Sequence, residues 1–499
     1  MTNILYDALI APHKDNEAVF LETDDGASLS FAAFAKRAAQ IAHVLKDAGV
    51  APGDRVVVQA PKLTDTLALY IATVQTGALY LPLNTAYTQA ELTYFVEDAQ
   101  PKIVVCDADS EDDTTRIAQA IGAKVLTLSG DHGSLSLAAN DKPDSFETAS
   151  RGPDDLAALL YTSGTTGRSK GAMMSHRNLL SNAETLIDLW QITSADRLLH
   201  ALPIFHTHGL FVALNTALLA GTRVRLMSGF NVDTIVDELP GSTLMMGVPT
   251  FYTRLLDDAR FDKDLTRNMR LFISGSAPLL AETHQAFEAR TGHRILERYG
   301  MTETNMITSN PYDGARVAGT VGYPLPGCEV KITNPETGET LPKGEIGMIE
   351  VRGENVFQGY WNMPEKTAEE VRENGFFLTG DLATEDEDGR ITIVGRAKDL
   401  IISGGYNIYP KEIEDVLNDM AEVEESAVYG VPHADFGESV IAAIVPTNGA
   451  QIDVDALRGT VEAQLARFKH PRDYIVMDAL PRNTMGKVQK NILRDSYGQ

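Results

Sequence analysis

The stretch YTSGTTGRSKG, residues 161–171, decides most of what can be read from this chain. It follows an apolar run at 156–161 and concentrates glycine, serine and threonine just ahead of Lys170. Glycines let backbone N–H groups turn toward one point, hydroxyls donate or reach a metal ion, and Arg168 and Lys170 add positive charge. Such a segment suits a loop that wraps phosphate, against the ordinary alternative of a flexible surface turn. It is not a Walker A loop, because Ser169 stands five residues after Gly164 where that loop needs a second glycine.

Around this loop lies a chain of 499 residues, enough for two or three domains and a large core. Hydrophobic residues make up 43% and charged residues 22%, as in ordinary globular proteins. No stretch approaches the ~20 apolar residues of a membrane span. The opening MTNILYDALIAPHKDNE lacks a basic segment followed by a long apolar one, so export is not expected. Cys106 and Cys328 stand far apart and give neither metal spacing nor a disulfide framework, which fits a cytoplasmic location. The net charge of -26 repels nucleic acid and anionic membranes, so neither is expected as a partner. An acidic protein that binds anions has to gather its cations at the site, which makes each lysine or arginine inside a motif informative.

Helical and strand patterns alternate from the start to about residue 320, which implies parallel sheets. Helices are expected at 29–48 and 64–76, and strands at 55–60, 102–107, 198–202, 223–226 and 271–274. From 322 to 394 short β-rich runs such as 328–333 and 347–352 alternate with Gly, Pro and Asn turns, the texture of a small antiparallel unit. After Gly395 a helix at 410–417, strands at 425–430 and 440–445 and a helix at 453–469 suggest a compact α+β domain.

Six further segments follow in order: HTHGL at 206–210, SGSAPL at 274–279, ERYGMTE at 297–303, TGDL at 379–382, GRAKDLIISGGYNIYPKEIE at 395–414 and PRNTMGK at 481–487. Each alone has a bland reading: a hairpin turn for Gly404-Gly405, a helix cap for Thr-Gly-Asp, a helix start for Tyr-Gly-Met-Thr-Glu. As an ordered set spanning nearly the whole chain they resemble the adenylate-forming superfamily of acyl-CoA synthetases, peptide-synthetase adenylation domains and firefly luciferase. Within it the chain is most similar to the malonyl-CoA synthetase branch, which activates a small dicarboxylic acid.

The resemblance implies an α/β fold: a large N-terminal domain of parallel-rich sheets wrapped by helices with a β-rich subdomain (residues 1–396), and a small mobile α+β C-terminal domain (397–499). It implies an acid–thiol ligase that makes an acyl-adenylate from a carboxylic acid and ATP with Mg2+, releases pyrophosphate, and passes the acyl group to coenzyme A with release of AMP. A monomer or weak homo-oligomer is expected. By the same resemblance Thr162, Ser163, Gly164, Thr165, Thr166, Gly167 and Lys170 cradle the β- and γ-phosphates. Thr302 and Glu303 touch the adenylate and magnesium, with Thr165 as a further metal contact. Ser276, Ala277 and Pro278 line the adenine pocket beside Tyr299, Gly300 and Met301. Asp381 and Arg396 hold the ribose. Lys487 bridges the attacking carboxylate and the α-phosphate, a place where developing charge needs a pre-placed cation. Lys398 is the hinge, and Ser403, Gly404 and Gly405 form the pantetheine tunnel.

The acyl pocket is expected from His206, Met246 to Pro249, Ser274 to Ser276 and Arg298 to Thr302. Arg298 is the discriminating position. Turned inward, it offers a fork of donors to a second carboxylate; turned outward, it is exposed or pairs with an acid such as Glu297. His206 is a catalytic and substrate candidate because HTHG is expected at a strand end, and Ser274 and Gly275 are substrate candidates. The alternatives are a synthetase for another short-chain acid and an adenylation enzyme that loads a carrier protein. Malonate and methylmalonate differ by one methyl and are not separated by sequence.

Overall fold

The computed structural model describes residues 2–130, 132–162, 169–403, 406–433, 436–483 and 486–498. The phosphate-loop residues Ser163, Gly164, Thr165, Thr166 and Gly167, and the tunnel residues Gly404 and Gly405, therefore lie outside the described residues.

Two open sheets carry the N-terminal part. The first has six strands in the order Lys124–Thr127, Ile103–Cys106, Arg55–Gln59, Leu79–Pro82, Leu156–Thr162 and Lys170–Ser175. All neighbours are parallel except the last pair, which flanks the phosphate loop. The second has nine strands, with a parallel centre running through Leu296–Met301, Leu271–Ser274, Leu244–Gly247, Arg197–His200, Arg223–Leu226 and Val19–Glu22. Strands of these parallel centres are short, and several, such as Leu79–Pro82, Ile103–Cys106 and Leu244–Gly247, are buried along their whole length, as sheets covered on both faces require. The helix Phe31–Asp47 shows why the amphipathic reading works: Ser30 caps it through the Ala33 N–H, and its apolar stripe from Phe31 to Leu45 is buried.

A four-stranded antiparallel sheet, Cys328–Thr333, Gly347–Gly353, Phe377–Glu385 and Ile391–Arg396, follows as expected. After the 3-10 turn Ala397–Asp399 the chain enters a last sheet built from Ile401–Ser403, Tyr406–Ile408, Val423–His433, Gly437–Pro446 and Asp473–Val476. Its two apolar clusters draw only on residues from 401 onward.

Two expectations are corrected. The strand expected over 198–202 ends at His200, so HTHG is not at a strand end; its second histidine opens the π-helix His208–Leu214. The helix expected over 453–469 stops at Gln464, and a 3-10 turn Arg467–Lys469 follows. The strand Val19–Glu22 joins the second sheet by pairing with Arg223–Leu226.

Candidate active site

Adjacent parallel strands end side by side along the second sheet, and the motif loops leave from those carboxyl ends. Leu271–Ser274 runs into SGSAPL, and Leu296–Met301 into the turn holding Thr302 and Glu303. Outside the carboxyl ends of parallel strands is where open α/β sheets bind ligands.

Arg298 is buried, at 3% exposure. Its Nε and Nη2 have no hydrogen-bond partner, and among the described residues no carboxylate pairs with it. Glu297, the neighbour that might have neutralised it, bonds His284 instead at 2.9 Å. Burial pulls the guanidinium down to about 9, which leaves it cationic at neutral pH. Its plane lies on Gly275: a Cβ there would sit 2.7 Å from Nε and closer still to the guanidinium carbon. Leaving a cation buried without its anion is costly, on the order of 3–5 kcal/mol, so this geometry is set up for an anionic guest.

His208 lies close enough to feel this charge, and Ser276 and His206 lie beside His208. Ser276 holds a left-handed backbone, φ 72°, and its hydroxyl is 3.2 Å from His208 Nδ1. Non-glycine residues in that region are strained, and such strain collects at functional sites. His208 Nε2 and His206 Nε2 are buried and unpartnered. Burial, then the charge of Lys487, pushes His206 down to about 3; burial, then Arg298, pushes His208 down as well. Both rings are thus neutral at neutral pH and offer hydrogen bonds rather than charge.

The nucleotide candidates meet at one place. Asp381 lies opposite Arg396 in the antiparallel ladder, and the Arg396 Nε donates to its Oδ1 at 2.6 Å. The Tyr299 hydroxyl donates to the other oxygen of Asp381. Glu303 is buried, which raises its carboxyl, and its Oε1 lies 3.0 Å from the Tyr360 hydroxyl oxygen. Ala277 and Pro278 continue the loop after Ser276, and Gly300 sits at a bulge where the strand turns toward Thr302. On the phosphate-loop flanks Thr162 pairs with Lys170 in register, and the Tyr94 hydroxyl donates to the Ser169 carbonyl at 2.7 Å.

Lys487 arrives from the last 20 residues. Its loop is closed by Asn483, whose side chain accepts from the Lys487 N–H at 3.0 Å and whose own N–H donates to the Lys487 carbonyl at 3.0 Å. Gly486, with φ 74°, is set against Thr250 at the start of the helix Pro249–Leu256. The ammonium projects into the cleft, where burial, then Arg396, lowers its pKa, opposed by Asp381 and Glu303. Ser403 is elsewhere: its hydroxyl donates to the Glu438 carbonyl at 2.6 Å, and its neighbours Ile402 and Tyr406 are 53% and 56% exposed. Lys398 sits in the 3-10 turn between the last two sheets.

Sequence reasoning missed Tyr360, Glu370 and Lys62. The first two join Lys170 to Glu303, and Lys62 donates to His200 Nδ1 at 2.9 Å and to the His200 and Leu202 carbonyls at 2.7 and 2.8 Å. None lies in a motif, so no local signal marks them.

Residues 7–361 match the AMP-binding enzyme family, and residues 412–487 match the AMP-binding enzyme C-terminal domain. The malonate–CoA ligase of Arabidopsis thaliana is 37% identical, over 90% of this chain and 79% of its own length. The mitochondrial malonate–CoA ligase of Mus musculus is 35% identical, over 85% of this chain and 79% of its own. ATP-bound MatB from Rhodopseudomonas palustris superposes with a TM-score of 0.98 at 56% identity, covering 100% of this chain and 99% of that one. The apo form of the same protein gives 0.87 over the same coverage. The chain belongs to the AMP-binding enzyme family.

Proposed function

We propose that the protein is an AMP-forming ligase that joins malonate, or the closely related methylmalonate, to coenzyme A through an acyl-adenylate. The observation that carries the reading is Arg298: a buried cation laid on Gly275 that, among the described residues, has free donors and no carboxylate of its own. The malonate–CoA ligases among its relatives support the same acid.

In this reading one carboxylate of the acid bonds Arg298, and the other points toward Lys487. That second carboxylate attacks the α-phosphorus of ATP, the bond to the bridging oxygen breaks, and pyrophosphate leaves. Lys487 holds the developing charge on both reacting groups, which is worth most in a pre-organised site. Asp381 and Arg396 hold the ribose, Ser276, Ala277 and Pro278 the adenine, and the phosphate loop with Lys170 the β- and γ-phosphates. His206 and His208, both neutral, hydrogen-bond the acid without competing for its charge. The thiol of coenzyme A then loses its proton and attacks the acyl carbonyl, and AMP leaves.

The residues fit a magnesium ion. Among the described residues no group of three or more side chains could hold a metal, but Glu303 is a buried carboxylate next to the phosphate site. One carboxylate plus substrate phosphates is the usual magnesium arrangement. Glu303, with Thr165, would hold it, and the ion would neutralise charge on the triphosphate.

Lys487 and the hairpin that begins at Ser403 cannot serve the same bound acid in one arrangement, since Ile402 and Tyr406 stand open to solvent while Lys487 is in the cleft. We take residues 397–499 as a domain that rotates on Lys398 to exchange them. The higher TM-score against the ATP-bound than the apo relative supports assigning this arrangement to the adenylate-forming step. The reading places a monomer or weak homo-oligomer in the cytoplasm; no helix of the described residues is long and apolar enough to cross a membrane.

The test is AMP release over a panel of two- to five-carbon mono- and diacids, with wild type and Arg298→Ala. Malonate should be preferred, and the substitution should lower kcat/KM for it by roughly 10³-fold or more while sparing acetate. Equal losses for malonate and acetate would reject the dicarboxylate clamp.

A further inference from the structure

Lys170 does not stand free at the phosphate loop. Its Nζ is 2.9 Å from Glu370 Oε1 and lies over the Tyr360 ring, 4.2 Å from the centroid. The other oxygen of Glu370 accepts the Tyr360 hydroxyl at 2.6 Å, and the same hydroxyl is 3.0 Å from Glu303 Oε1. A phenol carries one hydrogen. The shorter contact assigns it to Glu370, so Glu370 holds both the tyrosine hydrogen and the lysine ammonium. Burial alone would raise the Glu370 carboxyl, but the bonds from Tyr360 and Lys170 outweigh it and hold it low. A second cation lies beside it: Lys366, one helical turn earlier, has its Nζ 3.1 Å from Glu370 Oε1 and 2.8 Å from Glu369 Oε2, and is 40% exposed.

We propose that Glu370 is a positioning residue that stands in for polyphosphate: it holds Lys170 and competes with ATP and pyrophosphate for it. This rests on the reading of Lys170 as a β- and γ-phosphate contact. The Glu370 carboxylate neutralises Lys170, so neither charge is left alone in a half-buried place. When a triphosphate arrives, Lys170 turns to it, and Lys366 and Tyr360 remain to satisfy Glu370. The exchange of one anion for another lowers the net gain from the Lys170–phosphate contact. It thereby loosens pyrophosphate, the product that has to leave before the thiol step.

The test is calorimetric titration of the full-length protein with magnesium pyrophosphate, alongside KM for ATP and for malonate. In Glu370→Gln the amide keeps the Tyr360 contact but loses its charge. Pyrophosphate should bind roughly three- to five-fold more tightly and the KM for ATP should fall with it, while KM for malonate stays put. Lys366→Ala removes the standby cation at an exposed position, so Glu370 should grip Lys170 harder and pyrophosphate should bind about two-fold more weakly. In a Lys170→Met background Glu370→Gln should change nothing further. Unchanged or weaker pyrophosphate binding in Glu370→Gln, with wild type binding normally, overturns the role of Glu370 and leaves the ligase reading intact. A wild-type enzyme that binds neither ATP nor pyrophosphate overturns both.

Discussion

Arg298 and Gly275 act as one unit. The arginine can lie flat and buried because residue 275 has no side chain, and a methyl there would collide with Nε at 2.7 Å. Gly275→Ala is therefore expected to push the guanidinium out of register with the acid. KM for malonate should rise by about ten-fold or more, whereas KM for ATP should move little, because an ångström-scale misplacement of a binding group costs rate steeply. A steady-state comparison of the two KM values checks this; equal increases would place Gly275 in the nucleotide site instead. The sequence made Arg298 a candidate through its place before Tyr-Gly-Met-Thr-Glu. The reason for the glycine was not legible, because the two residues meet only when the strands Leu271–Ser274 and Leu296–Met301 pair side by side. Glu370 was invisible for a stronger version of the same reason, since it meets Lys170 across 200 residues of chain.

At the scale of elements, the segment running from the strand Arg197–His200 into the π-helix His208–Leu214 carries both candidate acyl-site histidines, and Lys62 fastens its base. The three hydrogens of an ammonium match its three acceptors, His200 Nδ1, His200 O and Leu202 O. His200 Nε2 in turn is 2.7 Å from the Gly209 carbonyl, which ties the two ends of the segment together. With Nδ1 accepting from Lys62, the ring donates from Nε2 and is neutral. Burial, then the charge of Lys62, pushes His200 down to about 3. A folded-state pKa below the unfolded value of about 6.5 means that the unfolded chain binds the proton more readily. The stability contribution is complete above pH 6.5 and is lost as pH falls toward 3. Between pH 7 and pH 5 this one ring should cost about 2 kcal/mol of folding stability. Urea titrations at the two pH values measure it. Lys62→Met should be less stable than wild type at pH 7 by about 2–4 kcal/mol, and should lose less on going to pH 5 because the repelling charge is gone. An equal acid loss in both proteins would remove Lys62 from the account. The helices and strands themselves were largely legible: the helix at Thr64–Thr76 and the strands at Arg223–Leu226, Leu271–Ser274 and Cys328–Thr333 fall where hydrophobic periodicity puts them. The π-helix was not, since its extra residue per turn reflects the packing of 208–214 against neighbours rather than any local pattern.

For the whole molecule the decisive quantity is where charge sits. A protein of net charge -26 brings Lys170, Arg298, Arg396 and Lys487 to the cleft, and the field of one acts on the next. Lys487 reaches it only because the C-terminal sheet is docked with Gly486 against Thr250. Lys487→Ala is expected to abolish adenylate formation, by roughly 10²-fold or more, while malonyl-adenylate supplied directly is still converted to the thioester. Single-turnover assays of the two half-reactions separate them, and an equal loss in both would remove the assigned role for the lysine.

The sequence alone determined many of the helices and strands, the antiparallel unit after residue 322 and the family, because these depend on local periodicity, turn chemistry and motifs that are contiguous in the chain. Tertiary structure alone decided that Arg298 meets no carboxylate among the described residues, that Glu370 and Tyr360 hold Lys170, and that Lys62 anchors the histidine segment. Burial and partner choice are properties of surfaces brought together from distant parts of the chain, and no local run of residues encodes them.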